Sequence, residues 1–187
     1  MPNNQTITFD KPLLGFAAFS GTGKTTLLRK LIPELKRRGL RIAVVKHAHH
    51  NFDVDKPGKD SYELRKAGAS PMLISSSRRT VIMIDNEIEE EPDLQQLLSH
   101  IPIEMIDMVL VEGFKQWPFA KIELHREETG KPLMYADDSN VIAIAHDRPA
   151  NNPLKDTRIP QLDINNVESI ADFVIQFKQL NTTEDPL

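Results

Sequence analysis

Short runs of apolar residues recur along the chain, and each has the length of a buried β-strand. Most are rich in valine, isoleucine and leucine and end at a glycine, a charged residue or a turn, which is typical of strands covered on both faces. The segments that predict strands are LLGFAAF (13–19), RIAVV (41–45), PMLIS (71–75), TVIMI (80–84), DMVLVEG (107–113), KIELH (121–125) and VIAIA (141–145).

Amphipathic segments with helical spacing lie between several of these strands. The clearest covers residues 24–38 and is followed by Gly39, which predicts the end of the helix. Its apolar stripe consists of Leu27, Leu28, Leu31 and Leu35. A later helix follows the acidic loop NEIEEEPD (86–93) and runs to about His100.

Capping signals predict where two further helices begin. Asp60 is the expected N-cap of a short helix that reaches Ala67, with Glu63 as its capping-box partner. Asn165 and Glu168 have the same spacing before the last helix. The apolar stripe of that helix consists of Val167, Ile170, Ala171, Val174 and Phe177.

The alternation of strands and helices predicts an α/β fold with a mostly parallel sheet flanked by helices and some antiparallel strands. In such sheets ligands bind outside the carboxyl ends of the strands. Four polar segments follow predicted strands directly and are therefore expected at this shared edge. They are the SGTGKT turn (20–25), the histidine-rich loop (47–59), Glu112-Gly113 and His146-Asp147.

Length and composition predict a cytoplasmic protein with one main domain. Of the 187 residues, 13–180 are expected to form that domain, 1–12 an N-terminal extension and 181–187 a disordered tail. The net charge of −4 gives no reason to expect nucleic acid or a membrane as partner. There is neither a signal-like N-terminus nor an apolar run long enough to span a membrane, and the absence of cysteine suits a reducing compartment.

The SGTGKTT turn after the first strand matches the phosphate-binding P-loop in its second half. Gly23, Lys24 and Thr25 fit the pattern Gly-x-x-x-x-Gly-Lys-Ser/Thr, whereas Ala18 occupies the position of its first glycine. We expect Lys24 to reach the β- and γ-phosphates and the Thr25 hydroxyl to coordinate Mg²⁺. Phosphate oxygens would also meet backbone N–H groups and the positive end of the helix dipole. The residues expected to bind the nucleotide here are Ser20, Gly21, Thr22, Gly23, Lys24, Thr25 and Thr26.

Two carboxylates are candidates for the rest of a nucleotide site. Glu112 ends the apolar strand MVLVE, where P-loop proteins hold Mg²⁺ with an acidic side chain, directly or through water. Asp147 follows VIAIAH, where a carboxylate can accept both N–H groups of guanine. The alternatives are that Glu112 only ends a strand and that Asp147 is a surface residue near Pro149. The Asn-Lys-x-Asp signature of guanine-binding proteins is absent apart from its last residue.

The loop HAHHNFDVD (47–55) contains three histidines and two aspartates. It could bind a metal such as Zn²⁺ or Ni²⁺, although the spacing matches no specific zinc pattern. It could instead be a switch-like loop in which Asp53 or Asp55 approaches Mg²⁺, or a solvated turn around Pro57-Gly58.

The chain resembles the molybdopterin-guanine dinucleotide biosynthesis adaptor family, MobB. The similar stretches are FAAFSGTGKTTLLRKLIP, KHAHHNFDVDKPGKDSYELRKAGA, DMVLVEGFK, AKIELHR, VIAIAHD and LDINNVESIADFV. This resemblance implies a homodimeric GTP-binding protein with a SIMIBI-type P-loop fold, bound GTP and Mg²⁺, and weak GTP hydrolysis. The implied partners are the molybdenum cofactor guanylyltransferase and other proteins of cofactor synthesis. The resemblance also implies that the His47–Asp55 loop, Asp60, Arg65 and Glu112 line one cleft.

Two other functions are compatible with the motifs. A small-molecule kinase would use the same P-loop with a lid containing arginines, for which Arg78-Arg79 are candidates. A metal-delivery GTPase would use the histidine-rich loop. No residue is firmly assigned as catalytic, and Glu112 is the one candidate; without an arginine finger or a water-orienting glutamine we expect slow hydrolysis.

Overall fold

A computed structural model describes residues 7–48, 52–86, 90–155 and 157–182 of the chain. The chain divides into a larger unit, residues 1–47 and 93–187, and a smaller unit, residues 48–92. The strands are β1 (Leu13–Ala18), β2 (Ile42–Lys46), β3 (Met72–Ser75), β4 (Thr80–Met83), β5 (Met108–Glu112), β6 (Lys121–His125), β7 (Val141–His146) and β8 (Gln161–Asp163). The helices are α1 (Lys24–Arg37), α2 (Asp60–Lys66), α3 (Leu94–Leu98) and α4 (Val167–Asn181).

A six-stranded parallel sheet in the order β2-β5-β1-β6-β7-β8 forms the larger unit. β1 lies between β5 and β6, so the turn after β1 is next to the ends of both neighbours. Phe16 of β1 is in register with Glu112 of β5, and Lys46 of β2 is in register with the same glutamate. The sheet order therefore brings the predicted P-loop and Glu112 to one edge.

Alternate residues of the central strands pack against two opposite layers. Leu14 and Phe16 of β1 belong to a cluster with the apolar stripes of α1 and α4. Val109 and Val111 of β5 belong to a second cluster, which includes Leu94 and Leu98 of α3 and the aromatic side chains of residues 114–119. Burial on both faces explains why these strands are nearly continuous runs of apolar residues.

Two buried charged residues of β6 hold the following loop. The Lys121 ammonium lies 2.8 Å from the Asp138 carboxylate and 5.0 Å from the centre of the Phe119 ring. The Glu123 carboxylate accepts hydrogen bonds from the backbone N–H groups of Met134 and Tyr135, at 2.7 and 2.9 Å. Because a buried charge is tolerated only with such partners, these contacts hold the segment 134–138 against β6.

The elements predicted from the sequence are present, with three corrections. Asn166, not Asn165, caps α4, since its side chain accepts a hydrogen bond from the Ser169 N–H group. Lys59, not Asp60, is the N-cap of α2, and no side chain caps that helix. β8 was not predicted, because it has only three residues and pairs with one strand.

The smaller unit contains α2 and the antiparallel hairpin β3–β4, which corresponds to the predicted antiparallel strands. α2 has no buried residue. Leu73 and Ile82 of the hairpin are 61% and 57% exposed. No helix in the described part of the chain is long and apolar enough to cross a membrane.

Candidate functional site

The loop between β1 and α1 has the backbone expected of a phosphate-binding turn. Gly21 and Gly23 have φ values of 87° and 93°, which residues with a Cβ atom rarely adopt. Gly23 is the N-cap of α1, and no side chain caps the helix. The Thr22 hydroxyl is buried and donates to the Phe19 carbonyl at 2.9 Å, so this side chain holds the loop from within. The N–H groups at the start of α1 are therefore without a side-chain cap.

Two lysines from different elements meet one carboxylate at the edge of the sheet. The Lys24 and Lys46 ammonium groups lie 3.6 and 3.5 Å from the same Glu112 oxygen, Oε1. Glu112 is largely buried, with 13% of its side chain exposed. One negative charge among two positive charges leaves a local excess of positive charge beside the loop, which favours an anionic ligand.

The turn after Glu112 packs closely against His47. Gly113 has a φ of 95°, and a Cβ placed there would lie 2.6 Å from the His47 Cβ. Phe114 follows with a φ of 53°, and its ring lies 5.0 Å from the His47 ring. The His47 N–H group donates to the Glu112 carbonyl at 2.8 Å. The first histidine of the histidine-rich loop thus supports the turn that positions Glu112.

Lys115 and Lys131 extend the positive charge beyond the predicted motif. Their ammonium groups lie 5.3 and 6.0 Å from the centre of the Phe19 ring, directly before the loop. Partial desolvation and the nearby charge of Lys24 lower the pKa of the Lys115 ammonium group. Neither lysine is recognisable from the sequence, because only the three-dimensional path of residues 113–131 brings them to Phe19.

Arg126 links Asp147 to the loop before α1, a role that was not predicted from the sequence. The Arg126 guanidinium donates to the Thr22 carbonyl at 3.2 Å through Nε and to Asp147 Oδ2 at 3.4 Å through Nη1. The Glu127 N–H group donates to the other Asp147 oxygen at 3.3 Å. Arg126 directly follows the predicted strand KIELH, which is parallel to the strand before Asp147. This position after a strand is the feature of the sequence that could have indicated the contact.

Other predicted residues lie at the first turn of α1 or in the smaller unit. Ser20, Thr25 and Thr26 are exposed at or beside the start of the helix. Asp53 belongs to the smaller unit, where both of its oxygens accept from Arg65 Nη2 at 2.7 and 2.8 Å. That hydrogen bonding, together with the bond from the Asp55 N–H group, lowers the pKa of Asp53. Its role as a metal ligand stays a prediction.

The metal-binding interpretation of the histidine-rich loop is not tested. His49 and His50 lie outside the described residues. Within the ranges that the structure describes, no group of three or more histidine, aspartate or glutamate side chains is arranged to hold a metal ion.

Sequence comparisons match most of the chain. A family model described as MobB, molybdopterin guanine dinucleotide synthesis protein B, matches residues 13–147. A molybdopterin-guanine dinucleotide biosynthesis adapter protein of Escherichia coli is 52% identical over 169 residues, covering 90% of this chain and 94% of the relative. Its counterpart in Haemophilus influenzae is 47% identical over 163 residues, covering 87% of each chain.

Solved structures have the same fold. A crystal structure of molybdopterin-guanine biosynthesis protein B matches with a TM-score of 0.65 at 25% identity, covering 88% of this chain and 98% of the other. Bacillus subtilis MobB matches with a TM-score of 0.69 at 23% identity, covering 89% and 98%. HypB from Helicobacter pylori, solved in complex with nickel, matches with a TM-score of 0.51 at 16% identity, covering 95% and 92%, and this likeness concerns the fold alone. The predicted α/β fold of P-loop NTPase type is confirmed.

Proposed function

The chain belongs to the MobB family of molybdopterin guanine dinucleotide synthesis proteins, and we propose that it is a GTP-binding adapter in the biosynthesis of that dinucleotide. Relatives that cover nearly the whole chain are named as adapter proteins of this pathway. The observation that carries the nucleotide part of the proposal is the Lys24–Glu112 contact of 3.6 Å at the uncapped start of α1. This contact brings together a lysine ammonium group and a carboxylate, the two charged groups that a site for magnesium and a triphosphate requires.

In this proposal the triphosphate binds along the loop before α1. The backbone N–H groups of residues 20–26 donate to phosphate oxygens, and Lys24 moves from Glu112 to the β- and γ-phosphates. Lys115 and Lys131 add positive charge beside Phe19. Because the loop has two left-handed glycines, its backbone can approach the phosphates without interference from side chains.

Oxygen donors beside the loop fit a magnesium ion. Thr25 directly follows Lys24, and the Glu112 carboxylate lies within 3.6 Å of that lysine's ammonium group. Mg²⁺ prefers one or two protein oxygen ligands together with phosphate oxygens and water, which matches this small donor set. Thr25 and Glu112 would hold the ion, which would neutralise phosphate charge.

Asp147 reads the base in this proposal, because its two oxygens can accept the N1–H and N2–H groups of guanine. Hydrolysis should be slow, since no described residue near Glu112 is assigned as a water-orienting group and a missing arginine finger costs roughly 10³- to 10⁵-fold in rate. We therefore expect a turnover number far below the roughly 10 s⁻¹ that is typical of enzymes.

The proposed partner is the guanylyltransferase that joins molybdopterin to a guanine nucleotide, and the proposed assembly is a homodimer. A two-stranded hairpin is marginally stable in water unless it packs against another surface. The exposed Leu73 and Ile82 side chains of β3–β4 are therefore suited to contact a second copy of the chain. The transferase would receive GTP from, or dock against, the nucleotide-bound adapter.

Co-purification with the guanylyltransferase tests the proposed function. The tagged chain is incubated with the transferase, Mg²⁺ and either GTP or no nucleotide, and the bound transferase is quantified. We expect capture that increases with GTP for the unsubstituted protein and is lost for Lys24→Ala, because the substituted loop lacks its ammonium group. Lys30→Ala, on the exposed face of the same helix, is the matched control and should behave like the unsubstituted protein. Equal capture by Lys24→Ala and Lys30→Ala in the presence of GTP would contradict a nucleotide-dependent adapter.

A further inference from the structure

Arg126 contacts three segments that are distant from one another in the sequence. Its guanidinium donates to the Thr22 carbonyl in the loop before α1 and to the Asp147 carboxylate after β7. Nη2 also donates to the Asn165 side chain, at 3.1 Å, in the segment that precedes α4. Each nitrogen of the guanidinium thus has its own acceptor, which a planar, rigid group can satisfy and a lysine ammonium on a flexible chain cannot.

These contacts fix the distance between the phosphate-binding loop and Asp147. The carboxylate is held from both sides, by Arg126 at one oxygen and by the Glu127 N–H group at the other. Arg126 is itself anchored at the loop, because its Nε–H group donates to the backbone carbonyl of Thr22. A backbone carbonyl, unlike a side chain, cannot rotate independently of the loop. A carboxylate that binds the base must lie at a fixed distance from the phosphate-binding loop, since one nucleotide contacts both.

We propose that Arg126 is a positioning residue for nucleotide recognition. It holds Asp147 at the distance from the loop before α1 at which one purine nucleotide contacts both, with its phosphates in the loop and its base at Asp147. This inference rests on the proposed function and adds the residue that sets its base selectivity. The chain lacks the full Asn-Lys-x-Asp signature, and Arg126, directly after β6, supplies a cation that contacts both the loop and the carboxylate. The Arg126 guanidinium plane also offers a flat surface on which a base can stack.

Comparison of a nucleotide with a bare polyphosphate separates positioning from simple charge. Inorganic tripolyphosphate contacts the loop alone, whereas GTP contacts both the loop and Asp147. Titration calorimetry with Mg²⁺ is run with GTP, ATP and tripolyphosphate on the unsubstituted protein, Arg126→Ala and Arg126→Lys. The matched control is Arg148→Ala, because Arg148 lies beside Asp147 and has the same charge but pairs with Glu127 instead.

We expect Arg126→Ala and Arg126→Lys each to weaken GTP binding about tenfold. Both should bring the affinities for GTP and ATP together while tripolyphosphate affinity stays within about twofold. Arg148→Ala should keep the GTP preference. An equal loss of GTP and tripolyphosphate affinity in Arg126→Lys, or no change in either, would overturn the inference. If the unsubstituted protein binds tripolyphosphate but does not distinguish GTP from ATP, the inference fails and the phosphate site stands; if it binds no polyphosphate at all, the proposed function itself fails.

Discussion

Gly113 and Gly39 have nearly the same backbone conformation but different surroundings. Their φ values are 95° and 88°, so an alanine is strained at either position. A Cβ at Gly39 would have no neighbour within 4 Å, whereas one at Gly113 would lie 2.6 Å from the His47 Cβ. The pair therefore separates backbone strain from the steric conflict in the turn after Glu112.

Substitution of each glycine by alanine tests how tightly this turn is built. Gly39→Ala should lower the free energy of unfolding by about 1–2 kcal/mol through backbone strain alone. Gly113→Ala should cost at least about 1 kcal/mol more, because His47 or the Glu112 turn must move. Urea denaturation of both variants measures the difference. Equal costs would mean that His47 moves aside freely and does not support Glu112.

At the residue scale, motifs of a few consecutive residues can be predicted from the sequence. Contacts that depend on the order of the strands in the sheet cannot. The SGTGKT turn and Glu112 are recognisable from the spacing of a few consecutive residues. Arg126 and Lys115 are single charged residues after strands, and they become informative only when β1, β5 and β6 are known to be adjacent. The Lys24–Glu112 contact could be anticipated, because Glu112 ends one apolar strand and Lys24 follows the turn after another. The second lysine on Glu112, Lys46, could not.

A small ionic network at the end of α1 links this helix to α4. The Glu34 carboxylate accepts from Arg37 at 2.7 and 2.8 Å and from Arg38 at 2.7 Å. Arg38 in turn pairs with Asp172 of α4 and donates to the Glu168 carbonyl at 3.2 Å. These bonds to Arg37 and Arg38 lower the pKa of Glu34 from 4.5 to about 2.

The lowered pKa of Glu34 predicts a pH-dependent contribution to stability. A carboxyl group with a lower pKa in the folded state stabilises the fold above its unfolded value of 4.5, and this contribution is lost as the pH falls to about 2. Glu34→Gln should therefore destabilise the protein at pH 6 and have a shrinking effect toward pH 2. Urea denaturation across this range is the measurement, with Glu104→Gln as the control, since no described cation contacts the Glu104 carboxylate. A cost of Glu34→Gln that does not change with pH would contradict the assignment.

Elements were predictable where hydrophobic periodicity and length agreed. The predicted strands 13–19 and 107–113 correspond to β1 and β5, because buried parallel strands are nearly continuous apolar runs. β8 has one leucine in three residues and gives no comparable signal. The cap of α4 was misplaced by one residue because Asn165 and Asn166 are adjacent, and only the backbone decides which side chain reaches the Ser169 N–H group.

At the scale of the molecule, the smaller unit presents apolar side chains that the chain itself leaves exposed. Leu73, Ile82 and Ile84 are each at least half exposed in and beside the hairpin β3–β4. Removing such side chains from water on association would contribute roughly 25 cal/mol per Å² of apolar area. The sequence identified both strands, but their exposure could not be derived from a pattern that resembles that of a buried strand.

A charge in the hairpin should therefore weaken self-association. Leu73→Lys is expected to shift the proposed homodimer toward monomer at micromolar concentration, because it places an ammonium group in the proposed apolar contact. Analytical ultracentrifugation over a concentration series measures the change. Leu180→Lys is the matched control, since Leu180 is exposed on α4 and outside the hairpin. A Leu73→Lys variant that associates as strongly as Leu180→Lys would contradict the proposed contact through the hairpin.

Calorimetric titration of GTP in the presence of Mg²⁺ tests the central claim most directly, which is that the loop before α1 binds a nucleoside triphosphate. We predict one GTP bound per chain in the unsubstituted protein and in Lys30→Ala, and at least about a hundredfold weaker binding in Lys24→Ala, equivalent to about 2.8 kcal/mol. Thermal unfolding of the three proteins without nucleotide establishes that the fold is retained. Unchanged GTP affinity in a folded Lys24→Ala variant, or no binding by the unsubstituted protein, would contradict the account.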